Sequence, residues 1–118
     1  MCMNEEQLEE TNIQEYSFNE YSTAATAFAN YDDPEYPIFG LVEEVGELIR
    51  VIAKAKRGDY EIESARESLL KEAGDVLWML NEITLMFGMP LEHVARMNIE
   101  KLGDRKSRGK IRGNGDSR

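Results

Sequence analysis

An all-α fold is what this sequence predicts, and three observations predict it. Apolar residues recur every three or four positions along most of the chain, as on a helix with one buried face. No segment alternates apolar and polar residues with the period of two that a half-buried strand requires. Capping residues, prolines and a stop glycine then divide the chain into four helical segments.

Ser17 followed by Glu20 fits a capping box, and Phe18, Tyr21, Ala25 and Phe28 follow at helical spacing, so helix one is expected over 18–30. The stretch "YDDPEYP" holds two prolines and reads as a loop. Helix two is expected from Ile38 to Arg57, with Gly58 as its stop. Helix three is expected from Ile62 to Phe87, before "GMP". Helix four begins at Pro90, a favoured first-turn residue, and fades near Arg108 and Gly109. The domain expectation is a flexible acidic segment over 1–15, a helical domain over 16–108 and a basic, glycine-rich tail over 109–118.

At 118 residues and 42% apolar content, the chain supports one domain with a small core. Helix-only subunits of this size commonly complete that core by pairing. Residues 101–118 carry seven basic and two acidic side chains, a net +5, while the first hundred carry −14. An acidic body is unlike a nucleic-acid binder and suits a bound cation, with the basic end facing phosphate. Cys2 is the one cysteine, which excludes an internal disulfide and a cysteine–zinc site. No apolar run reaches the ~18 residues of a membrane span. The N-terminus is acidic and polar, unlike a signal peptide, and a cytoplasmic location is expected.

The informative feature is a repeat. "LVEEVGEL" at 41–48 is matched 28 positions later by "LLKEAGDV" at 69–76. On a helical wheel, Leu41, Val45, Leu48, Ile52 and Ala55 form one stripe of helix two. Glu44 and Glu47 lie on its flank with Val51, three residues apart and so neighbours on the surface. Helix three repeats this, with Leu69, Ala73, Val76, Leu80, Ile83 and Phe87 as the stripe and Glu72, Asp75 and Met79 on the flank. Helices joined by a short link pack antiparallel, and equivalent flanks then bring four carboxylates together. Two carboxylates ~5 Å apart repel by roughly 3 kcal/mol at an effective dielectric near 20. Such a group needs protons or a cation. All-oxygen ligation suits a hard ion, Mg²⁺ first and Mn²⁺ next, which shares its ligands with phosphate.

One Glu-x-x-Glu pair is commonplace and normally solvated, and Glu43 is assigned to that class beside Arg50 or Lys54. A second pair at the matching wheel position is far rarer by chance. Gly46 and Gly74 each cost about 1 kcal/mol inside a helix, which a close helix approach would offset. A di-iron bundle wants Glu-x-x-His on two helices, whereas His93 is the one histidine and directly follows Glu92.

The segments "EEVGE" (43–47) and "EAGD" (72–75) resemble the Glu-Glu-x-x-Glu … Glu-x-x-Asp signature of the all-α nucleoside triphosphate pyrophosphohydrolases, and most of all their MazG-like branch. "GDVLW" and the ending from Asn98 onward are similar as well, so the resemblance spans about 18–118. It implies a Mg²⁺-dependent hydrolase that converts a nucleoside triphosphate to the monophosphate and pyrophosphate. It also implies dimers or tetramers whose helices complete each bundle, and a role in nucleotide-pool control or house-cleaning. Its metal ligands fall on Glu44, Glu47, Glu72 and Asp75, the four residues the wheel selects. Many relatives carry tyrosine where this chain has Met79.

In that chemistry a carboxylate takes a proton from the attacking water, and Glu47 is assigned that role. On helix four, Asn98 falls on the side of Leu91, Val94, Ala95 and Leu102, where a buried structural amide and a ligand contact are equally consistent with spacing. Lys101, Arg105 and Arg108 read on spacing as a solvated basic face. The resemblance favours Asn98 and Lys101, with Arg105 next, as substrate contacts. Phe18, Tyr21, Tyr31 and Tyr36 are the aromatic candidates for base recognition; Phe18 and Phe28 are expected to pack, Tyr31 and Tyr36 to wall a base pocket, and Trp78 to face outward towards a subunit interface. A phosphoribosyl-ATP pyrophosphohydrolase and a non-catalytic helical module are the alternatives.

Overall fold

The computed structural model describes residues 15–113 and 115. The expected flexible segment over 1–15 lies outside the described residues except for Glu15, as do Cys2 and residues 114 and 116–118 of the tail. Among the described residues there are four α-helices, one 3₁₀ turn and no strand, so the fold is all-α.

Helix α1 spans Phe18–Thr26. Its capping box forms: the Ser17 hydroxyl accepts from Glu20 N–H at 3.1 Å, and Glu20 Oε1 accepts from Ser17 N–H at 3.3 Å. It ends earlier than the periodicity predicts, because Phe28 stays exposed and adds no burial to a further turn. Helix α2 spans Tyr36–Arg57 with Pro37 in its first turn. Gly58 closes it in the left-handed region at φ 94°, its N–H reaching Ala55 O at 3.0 Å while Asp59 N–H reaches Lys54 O. A 3₁₀ turn over Ile62–Ala65 leads into α3 at Arg66–Met86, so the predicted start at Ile62 belongs to this tighter turn. Gly88, at φ 81°, turns the chain into α4, Leu91–Ser107, for which Pro90 is the N-cap.

Helices α2 and α3 make the dominant packing in the subunit. At 22 and 21 residues each is about 32 Å long. The connection over 58–65, half of it wound into a 3₁₀ turn, is too short to run back along that length, so the two pack antiparallel. The buried and half-buried residues of α2 are Pro37, Gly40, Leu41, Glu44, Leu48, Val51, Lys54 and Ala55. On α3 and the turn before it the matching seam is Ala65, Leu69, Glu72, Val76, Met79 and Ile83. Both follow the 3–4 spacing of a helix–helix seam, with a glutamate at one of its positions.

The seam is therefore rotated from the predicted stripes. Val45 and Ile52 of α2, Leu80 of α3 and Phe87 at its C-cap are exposed. Glu44 and Val51 take seam positions on α2, and Glu72 and Met79 on α3. The reason is that α2 is apolar on two faces. Phe39, Val42, Val45, Ile49 and Ile52 form a second stripe that is exposed among the described residues. Met79, 1% exposed, packs onto Gly40, where an added Cβ would stand 2.5 Å from its Sδ. Close approach thus belongs to Gly40. Gly46 and Gly74, expected to serve it, have open space at their Cβ positions.

Helix α1 packs on α3 and α4, and α4 packs on α1 and α3. Ser22 Oγ donates to Asn81 Oδ1 at 2.5 Å across the α1–α3 contact, and Asn19 Nδ2 donates to Glu92 of α4. No described helix is long and apolar enough to cross a membrane.

Candidate metal centre and the adjoining cleft

The seam places acid where apolar side chains are the rule, and the site is built from that departure. Glu44 comes from the third turn of α2, and Glu72 and Asp75 from the first half of α3. One carboxylate oxygen from each of these three lies within 4.8 Å of the others. Glu44 and Glu72 are half-buried and Asp75 is exposed. Glu47, also exposed, stands beside Glu72. The hairpin thus gathers all four acids of the repeated motif.

Within each pair the two members differ. The first, Glu44 or Glu72, points into the seam, and the second, Glu47 or Asp75, stands at the rim. Oε2 of Glu44 and Oε2 of Glu72 are both buried with no hydrogen-bond partner. Burial, and then the charges of Asp75, Glu47, Glu72 and Glu43, push the Glu44 carboxyl above the usual carboxylate range. Glu72 is raised in the same way, by burial first, then by Glu47 as a charge and as a hydrogen-bond partner, and then by Asp75. Two shielded oxygens without donors, among further anions, fit a hard cation ligated by oxygen.

Asn98 and Lys101 are exposed on α4. Asn98 is thus not the buried amide that spacing allowed. Arg105 is turned inward, 4% exposed, with the Gly115 carbonyl 3.4 Å from its guanidinium. Arg108 pairs with Asp104 at 2.8 Å one turn earlier. His93 is exposed in the first turn of α4, away from the acid cluster.

Beside Asp75 opens a cleft of about 600 Å³, walled by Tyr16, Tyr21 and Phe28 from the α1 side and by Gly74 and Trp78 from α3. Its lining is chiefly apolar, with the Asp75 carboxylate at its edge. Trp78 is thus half-buried and faces this cleft, not outward as the wheel suggested. Phe28 lines the cleft and does not pack in the core. Phe18 too is exposed. Tyr31 and Tyr36, expected as pocket walls, stack on each other with centroids 5.0 Å apart and do not line it. The open Cβ position of Gly74 keeps the cleft floor clear, which gives that helix-interior glycine a reason the sequence alone did not supply.

Sequence reasoning missed Asn81 and Glu82, both buried on α3. A signal was present: Trp78 and Glu82 are four apart, the spacing at which an indole donor meets a carboxylate on one helix face.

The family model of the MazG nucleotide pyrophosphohydrolase domain matches residues 33–109, which takes in both acid pairs and all of α2, α3 and α4. The Gene 37 protein of Mycobacterium phage L5 is 35% identical over 85 residues, covering 70% of this chain and 75% of that protein. No solved structure gives a significant match. Two acid pairs on an antiparallel hairpin and a family match across most of the folded region lead to one conclusion: the chain belongs to the MazG nucleotide pyrophosphohydrolase domain family.

Proposed function

We propose that this protein is a Mg²⁺-dependent nucleoside triphosphate pyrophosphohydrolase, converting (d)NTP to (d)NMP and pyrophosphate in nucleotide-pool control or house-cleaning. One observation carries the reading: three carboxylate oxygens within 4.8 Å of one another, with buried, unpartnered Oε2 atoms on Glu44 and Glu72. Glu44, Glu47, Glu72 and Asp75 hold the ion, with Mn²⁺ as the second choice. When bound, it supplies charge neutralisation at the triphosphate oxygens and lowers the pKa of the attacking water.

The chain's own groups do the rest. Glu47, at the exposed rim, accepts the proton of that water. The water oxygen bonds to phosphorus as the α–β anhydride bond breaks, and the electron pair leaves with pyrophosphate. Asn98 and Lys101, exposed on α4, meet the phosphates. Arg105 joins them only by displacing the Gly115 carbonyl. The base stacks in the aromatic cleft beside Asp75, between the Trp78 and Tyr21 walls. The stripe of Phe39, Val42, Val45, Ile49 and Ile52, exposed among the described residues, pairs with a second copy, as a homodimer or a tetramer built from it. A nucleotide pool as substrate makes the cytoplasm its place of action.

The test is incubation with Mg²⁺ and a panel of nucleotides, reading monophosphate and pyrophosphate. Release of both from ordinary (d)NTPs, abolished by EDTA, is the expected result. Turnover of phosphoribosyl-ATP alone would move the assignment to that enzyme class. No turnover of any nucleotide, with no Mg²⁺-dependent stabilisation, would leave a non-catalytic module.

A further inference from the structure

Behind the cleft lies a buried carboxylate that hydrolysis does not use. Glu82 is 5% exposed and does not line the cleft. Its Oε1 accepts from the Trp78 indole N–H at 3.2 Å. Burial first, and then the Glu82 charge and its carboxylate as an acceptor, hold the nearby Tyr31 phenol above its usual range. Tyr21 lies close enough that burial and then the Glu82 charge hold its phenol above the usual range. The donors around Glu82 are thus neutral side chains. A buried carboxylate held by neutral donors is costly, and an apolar residue would fill the position more cheaply.

The partners explain the choice. Trp78 and Tyr21 are walls of the cleft, and Tyr31 belongs to the loop that leads into α2. Asn81, the preceding residue, holds Ser22 of α1 and so fixes the opposite side. An indole can swing about its side-chain torsions unless its N–H is held, and one carboxylate holds it here.

We propose that Glu82 is a positioning residue that fixes the Trp78 indole as the stacking wall for a nucleobase, and so sets nucleotide affinity without touching substrate. It rests on the reading that the neighbouring centre handles nucleotides. Trp78 is the one tryptophan of the chain, so its fluorescence reports this wall alone.

The experiment titrates wild-type, E82Q, E82M and W78F proteins, with Mg²⁺, against α,β-imido analogues of the four common deoxynucleoside triphosphates. Steady-state kinetics on the matching substrates accompany it. Wild-type emission changes on binding. E82M raises KM about tenfold, the scale of one lost charge-assisted hydrogen bond, with kcat within about twofold, as expected when only uniform binding is lost. E82Q keeps an acceptor oxygen and recovers most of the affinity. Adding E82M to W78F costs little more than W78F alone, because the two act through one contact. Unchanged KM in E82M overturns the proposal, as does additivity with W78F. A fall in kcat together with lost Mg²⁺ stabilisation also overturns it, since that marks a general structural role. If E82M does not fold, the wild-type indole proton decides by NMR: slow exchange and a resonance that moves with the analogue support the proposal, and fast exchange sinks it. A wild-type indole that answers no nucleotide overturns both this proposal and the nucleotide reading. A wild-type response with an unaltered E82M overturns only this one.

Discussion

Glu72 and Glu82 sit ten residues apart on one helix and meet the cost of burying a carboxylate in opposite ways. Glu82 accepts from an indole N–H and has the Tyr31 phenol close by, so its partners are neutral donors within the subunit. Glu72 is surrounded by acceptors, with Glu44, Glu47 and Asp75 as neighbours and one oxygen left without a partner. The first arrangement is complete and holds a shape. The second is incomplete by a positive charge, and that deficit is what a divalent ion corrects. Burial of an acid is therefore not itself the mark of a functional centre; the sign of its surroundings is.

The largest expected effect comes from neutralising the incomplete glutamate. Glu72→Gln or Glu44→Gln should lower pyrophosphate release by about two orders of magnitude or more, because charge stabilisation by a metal amounts to several kcal/mol. The same variants should melt higher than wild type without Mg²⁺, since a buried repulsion is relieved. A variant that keeps full activity would end the distinction between the two glutamates.

Next in size is the response to the ion. At a free Mg²⁺ concentration about 100 times its Kd, the wild type should gain about 2.7 kcal/mol of stability, seen as a higher melting temperature that EDTA reverses. E72Q should lose that gain, and E82Q should keep it.

The pH dependence sharpens the contrast further. Glu44 and Glu72 have raised folded-state values, so their contribution to stability without metal is present at low pH and is lost as pH rises through those values. Between about pH 4.5 and neutrality, wild type without metal should lose stability relative to E44Q/E72Q as pH rises. Mg²⁺ affinity should run the other way and weaken as the same carboxyls protonate. Paired melting curves with and without Mg²⁺ read both trends.

The smallest effects test the packing that separates the two environments. Met79 lies between them on Gly40. Gly40→Ala should destabilise by about 1–3 kcal/mol through overpacking. Gly46→Ala, with nothing within 4 Å, should stabilise by up to about 1 kcal/mol. Urea unfolding compares them, and a destabilising Gly46→Ala would point to a close contact made by a second copy.

Much of this was legible in the chain itself. The repeat of acids three apart, on two helices joined by a short link, was enough to anticipate that Glu44, Glu72 and Asp75 cluster, with Glu47 beside Glu72. The Ser17–Glu20 box and Gly58 marked their helix ends through local hydrogen bonding. The rotation of the seam was not legible, because α2 carries two apolar stripes and a wheel cannot say which one its hairpin partner covers. The cleft was not legible either: Tyr21 and Trp78 are 57 positions apart and meet only through the packing of α1 on α3.

By itself, then, the sequence determined the helices and which acids could converge, since periodicity and capping act within a few residues. Tertiary structure alone decided which acid of each pair lost its water, which tryptophan face met a cleft, and that Glu82 was satisfied where Glu72 was not. Desolvation depends on everything packed around a group, and those neighbours come from distant parts of the chain.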